Sequence, residues 1–223
     1  MAAAKQLDAL VIGATGATGR FLVTALLQHP DYTSVNTFVR KPSGVAHPKL
    51  KEHVIDFAKP EQYESFVRGD VLFSVLGTTL KAAGSKAAQW QIDFEIPARF
   101  ARLASQHGVP AFVLLSAAGA AANSAVFYSK MKGTLEDDIA SLNFEQYIIF
   151  RPGMLDRPAT DRPGEKLGVA VLRGLNKLGL FRKYRPLPVQ LLAQKLALAP
   201  LTAGPGKTVI SLAEIAKWSG EEH

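Results

Sequence analysis

No cysteine occurs in the 223-residue chain, which excludes a disulfide framework and a thiolate metal site. No stretch approaches the roughly 18 consecutive apolar residues of a membrane span, so stable membrane association is not expected. The five histidines, His29, His47, His53, His107 and His223, lack the spacing of a metal-ligand set, and no metal is expected. The opening MAAAKQLDAL is too short and too soon acidic for a signal or transit leader, so the default compartment is the cytoplasm. Repeats, low-complexity tracts and linkers are also missing. The length suits one domain over residues 1–223, with enough chain to bury a core.

What is present is ordinary in amount, with 48% apolar and 20% charged residues, but basic in balance at a net +7. Such a charge suits nucleic acid, anionic lipid or a pocket for a polyanionic small molecule. No stripe of aromatic and basic residues accompanies it, so nucleic acid is not expected as a partner.

Apolar runs and helical periodicities alternate along the chain. LDALVIG, SVNTFVR, HVIDF, DVLFSVLG, AFVLLSA and QYIIFRPG read as strands one to six, and GKTVIS as a last one. Helices are predicted over GRFLVTALLQ, over EQYESFV, from Ala87 to His107 with a kink at Pro97, and from a cap at Asn123 or Ser124 to about Leu142. LAEIAKW closes the chain as a helix. Strands buried on both faces and separated by helices predict an α/β fold, a doubly wound parallel sheet with helices on both sides.

Gly13, Gly16 and Gly19 stand between the first strand and the first helix. Glycines there permit a tight turn and let the backbone approach a pyrophosphate, while the helix N-terminus offers N–H groups and partial positive charge. Residues Gly13, Ala14, Thr15, Gly16, Ala17, Thr18 and Gly19 are therefore candidate ligands of a dinucleotide. The second strand ends in Arg40 and Lys41, where an NAD site would place an acid. A guanidinium pairs with a 2′-phosphate, so NADPH is the preferred cofactor, with NADH possible. Asp56 and Phe57 end the third strand near the expected adenine; Asp56 serves equally well as an acceptor there or as a cap for a helix near Pro60. Leu76, Gly77 and Thr78 end the fourth strand and should border the cofactor.

Tyr128 and Lys132 stand four apart on a predicted helix, hence on one face, and Ser116 ends the fifth strand. Carbonyl reduction uses such a set: an ammonium lowers the tyrosine pKa, tyrosine delivers a proton and serine polarises the substrate oxygen. The spacing by itself is common; without a catalytic role it would be a half-buried tyrosine beside an exposed lysine.

Together GATGATGR, VLFSVLGTT, FVLLSAAGA, YSKMKGTLE and YIIFRPGML, in this order over about residues 7–155, resemble the atypical branch of the short-chain dehydrogenase/reductase superfamily, near the Tat-interacting-protein-like and related bacterial reductases. The resemblance implies a Rossmann fold and catalytic roles for Ser116, Tyr128 and Lys132. It also implies that Arg151, Pro152, Gly153 and Met154 line the nicotinamide end. Residues 155–188 become a small lid over a carbonyl substrate, with Leu167, Val171, Leu175 and Leu178 on one stripe of a basic segment from Lys166 to Lys183. Some similar proteins are NADPH-binding regulators or scaffolds with little catalysis, which is the alternative to a reductase. Substrate identity and oligomeric state leave no trace in the sequence.

Overall fold

The computed structural model describes residues 6–153, 155–156 and 187–217. Seven strands form one sheet: β1 (Leu7–Ile12), β2 (Tyr32–Val39), β3 (Leu50–Val54), β4 (Val71–Ser74), β5 (Ala111–Leu115), β6 (Gln146–Arg151) and β9 (Gly206–Ser211). Their order is β3-β2-β1-β4-β5-β6-β9, and every neighbouring pair is parallel. Two short strands, β7 (Leu155–Asp156) and β8 (Leu187–Pro188), pair separately.

Alternation along each central strand feeds two cores at once. Ala9 and Val11 of β1 face one core with Leu22 and Leu26 of α1 (Gly19–Gln28) and Leu192 and Leu196 of α6 (Val189–Thr202). Leu10 and Ile12 face the other with Phe100 and Ala104 of α4 (Ile96–Gln106) and Leu135 and Ile139 of α5 (Phe127–Ala140). The sheet is therefore covered on both sides, as its apolar strands require.

The predicted doubly wound parallel sheet is the observed one, with differences of detail. The third strand is Leu50–Val54, N-terminal to the apolar HVIDF. It lies at the sheet edge, where Val54 is exposed, so partner register and not apolarity sets its bounds. EQYESFV holds two 3-10 turns. Lys86–Trp90 (α3, after the short α2, Leu80–Ala83) and α4 flank a π turn, Gln91–Glu95, in place of one kinked helix. Pro97 has no N–H to give Asp93, and the Ile96 N–H reaches back five residues to the Gln91 carbonyl. Helix α5 begins at Phe127, because the Ser124 hydroxyl accepts from the Val126 N–H in a turn ahead of it. The final helix, α7 (Leu212–Lys217), follows β9 as predicted. The proposed lid segment, Lys166 to Lys183, lies outside the described residues.

Helix α6 was not foreseen. It is apolar almost all round and contains Pro200, so it carries no clean amphipathic stripe. It packs on α1 and is tied to β2 by the buried Tyr32 hydroxyl, which donates to the Ala197 carbonyl at 2.6 Å. Burial pushes the Tyr32 phenol far up, so this bond keeps its proton through ordinary pH. Tyr32→Phe is expected to cost about 1 kcal/mol and to lower the melting temperature by a few degrees in urea and thermal denaturation.

Candidate functional site

Parallel pairing brings the carboxyl ends of all seven strands to one edge, and the described candidate residues follow those ends or lie on the helix after β5. β1 and β4 are neighbours whose chain connections leave in opposite directions across the sheet, which is the switch point where such folds bind ligands. At that point the turn after β1 meets the loop after β4. Gly13 has φ +84°, and a Cβ on it would lie 2.6 Å from the Leu76 backbone nitrogen. A Cβ on Gly19 would lie 2.0 Å from the Gly13 carbonyl oxygen. The turn closes with the Gly16 N–H donating to the Gly13 carbonyl at 3.0 Å.

The N–H groups of Ala14, Thr15, Ala17 and Thr18 make no hydrogen bond among the described residues. The first turn of α1 holds no acidic residue. Four donors, a helix N-terminus and a wall of bare Cα atoms fit a pyrophosphate. Arg40 and Lys41 follow β2, both exposed and neither in an ion pair among the described residues. They suit the 2′-phosphate end of the same ligand. Asp56 is also exposed, and its Oδ1 accepts from the Ala58 N–H at 3.0 Å. It makes a local turn and does not cap a helix at Pro60, where a 3-10 turn follows Lys59. The Phe57 carbonyl accepts from Arg99 and from Tyr63.

Leu76, Gly77 and Thr78 are held from behind. The Thr78 N–H donates to Asp93 Oδ1 at 2.7 Å, and the Gln89 amide donates to the Thr78 carbonyl. Both side chains are buried. The loops after β5 and β6 are joined to each other: the Ser116 N–H donates to the Phe150 carbonyl and the Ala118 N–H to the Pro152 carbonyl. Pro152 and Gly153 continue this edge; Met154 lies outside the described residues.

Tyr128 and Lys132 share one face of α5, but in the opposite sense to an idle pair: the tyrosine is 39% exposed and the lysine 2%. The Lys132 ammonium donates to the Leu115 carbonyl at 3.4 Å. Burial pushes it below the ordinary lysine range, and Asp93 and then Glu136 pull it back. Burial in turn raises Asp93, opposed by Lys132 and the hydrogen bonds to its carboxylate.

Ser116 has a different partner from the one expected. Its hydroxyl donates to the buried Glu136 Oε1 at 2.5 Å. Glu136, 2% exposed, also accepts from both Nε and Nη2 of Arg151. The guanidinium of Arg151 is thus committed to Glu136, whose hydrogen bonds raise its pKa. Asp93 and Glu136 were missed in the sequence. Glu136 repeats the four-residue spacing of Tyr128 and Lys132, which was the available signal. For Asp93 the available signal was an acid one helical turn from Trp90, Ile96 and Pro97.

A family description for NAD(P)H-binding proteins matches residues 13–175. A relative from Neosartorya fischeri, protein fmp52-2, mitochondrial, is 36% identical over 77% of this chain and 75% of its own. Protein FMP52, mitochondrial, of Eremothecium gossypii is 33% identical over 75% of both. Among solved structures, a UDP-glucose 4-epimerase of Thermotoga maritima superposes with a TM-score of 0.69 at 17% identity, over 92% of this chain and 76% of that one. A short chain dehydrogenase family protein of Francisella tularensis gives 0.64 at 16%, over 95% and 99%. These two establish the fold. The two relatives carry the Fmp52 name and not that of the Tat-interacting proteins. They also overturn the cytoplasmic expectation, since both are named mitochondrial. No helix among the described residues is long and apolar enough to cross a membrane.

Gly19→Ala is expected to force the Gly13 carbonyl out of the turn, weakening NADPH binding at least tenfold in calorimetric titration and lowering the melting temperature. Gly204→Ala, whose Cβ meets nothing within 4 Å, is the control and should leave both unchanged.

Proposed function

Because the chain belongs to the NAD(P)H-binding family, we propose that it is an atypical short-chain dehydrogenase/reductase, an NADPH-dependent oxidoreductase that reduces the carbonyl group of a small or medium organic substrate. The observation that carries this reading is the exposed Tyr128 phenol one helical turn from a buried Lys132 ammonium, at the edge that holds the glycine turn. When bound, the dinucleotide supplies the hydride.

The rest of the work falls to the chain. The glycine turn and the N-terminus of α1 hold the pyrophosphate. Arg40, with Lys41, pairs with the 2′-phosphate and so prefers NADPH to NADH. The loop from Leu76 to Thr78 and the ends of β5 and β6 border the nicotinamide. Tyr128 gives its proton to the substrate oxygen as the carbonyl carbon is reduced. Lys132, held charged between Asp93 and Glu136, stabilises the phenolate left behind. Ser116 serves this site through Glu136 and not by touching substrate. A cofactor-sensing regulator needs no proton donor at this edge, so the placement of Tyr128 favours turnover. The names of the relatives support action in the mitochondrion.

NADPH is expected to bind at least tenfold more tightly than NADH in calorimetric titration. Arg40→Ala should remove about 1.5–3 kcal/mol from NADPH binding, the range of a charged hydrogen bond, and leave NADH unchanged. Equal affinities in the wild type would reject the 2′-phosphate assignment. In a panel of carbonyl compounds followed by NADPH absorbance, Tyr128→Phe should lower kcat by about 10²–10⁴ with cofactor affinity retained. Full turnover by that variant would remove Tyr128 as the proton donor.

A further inference from the structure

One buried carboxylate stands where three elements of this edge converge. Glu136, on α5, accepts the Ser116 hydroxyl from the end of β5 and both Nε and Nη2 of Arg151 from the end of β6. Its own backbone carbonyl accepts from the buried Tyr147 hydroxyl of β6 at 3.2 Å. One turn earlier on the same helix lies Lys132, 2% exposed and in hydrogen-bond reach of the Leu115 carbonyl of β5. Asp93, from the π turn, faces that lysine from the other side and is fully buried, with Oδ2 unpartnered among the described residues.

Among the described residues, the charges around Lys132 come from three elements. The π turn brings Asp93; α5 brings Glu136 and, a turn before the lysine, Tyr128; β6 brings Arg151, acting through Glu136; β5 brings only the Leu115 carbonyl. Two carboxylates and two cations therefore balance. An isolated ammonium at this depth would lose its proton, because burial disfavours the charged form and only an opposite charge restores it. Arg151 can reach solvent, with its side chain 34% exposed; Lys132 cannot. Glu136 is thus shared between an arginine that reaches solvent and a buried lysine that has only Asp93 beside it as a further carboxylate among the described residues.

We propose that Glu136 is a positioning residue for Lys132: it ties the ends of β5 and β6 to α5 and is one of two carboxylates that keep the lysine charged. The proposal leans on the reading above only for what Lys132 does in turnover. Its test needs neither substrate nor cofactor, so the two fail separately.

The experiment is nitrogen-15 NMR of the lysine Nζ groups in the cofactor-free full chain, with the Lys132 signal assigned by Lys132→Arg and followed as the pH is raised. Loss of the neighbouring negative charge in Glu136→Gln should lower the Lys132 titration by about one unit, a tenfold change in its equilibrium. Glu136→Asp, which keeps the charge, should titrate near the wild type. Arg151→Gln should raise the Lys132 titration, and only while Glu136 is present, because the freed carboxylate then serves the lysine alone. Identical titration of wild type and Glu136→Gln overturns the proposal, since a merely structural clamp would not move a lysine proton. Should the Gln variant fail to fold, Arg151→Gln decides alone: an upward shift supports the assignment, and no shift or a downward one overturns it.

Discussion

A parallel sheet delivers every strand end to one edge, and each end carries backbone groups that the ladder no longer pairs. Several of these groups here are satisfied by the end of the neighbouring strand or the residue after it: Ile55 on Val39, Val75 on Ile12, Ser116 on Phe150 and Ala118 on Pro152. Thr78 is satisfied by a side chain instead, the Asp93 carboxylate. The turn after β1 differs. Its N–H groups at Ala14, Thr15, Ala17 and Thr18 have no partner among the described residues, and Gly13 and Gly19 leave no room for side chains to supply one. A ligand rich in acceptor oxygens completes the pattern that the other strand ends complete internally.

The same edge is organised electrostatically behind its surface. Desolvation opposes every buried charge, and a group survives charged only beside its opposite. Asp93, Lys132, Glu136 and Arg151 are gathered at this edge from three elements, the π turn, α5 and β6, as alternating acids and bases. A π turn places the first of them: without Pro97 interrupting the helix, Asp93 would fall elsewhere around its axis. Backbone irregularity and buried charge thus serve one end, a lysine out of water with carboxylates set against its desolvation.

Much of this was legible in the sequence because it follows from local rules. Strands buried on both faces read as apolar runs, Gly13 marks a turn that only glycine permits, and Tyr128 and Lys132 are paired by helical geometry alone. What the sequence hid depends on partners far along the chain. Ser116 ends a strand and has two directions in which to point; only the presence of Glu136, 20 residues on, turns its hydroxyl inward. Asp93 and Glu136 are carboxylates on helices, where solvated faces ordinarily put them, and burial is a tertiary fact. Helix α6 escaped because uniform apolarity around a helix erases the periodicity that announces one. The cytoplasmic expectation failed for a different reason, since it rested on something absent and not on any residue.

The central claim is that one ligand spans this edge from the glycine turn to Tyr128. A crystal structure of the chain with NADP⁺ tests it most directly. The account predicts the pyrophosphate against residues 14–19, the 2′-phosphate on Arg40, and the nicotinamide beside Tyr128. A dinucleotide bound elsewhere, or one whose nicotinamide lies away from Tyr128, would contradict it.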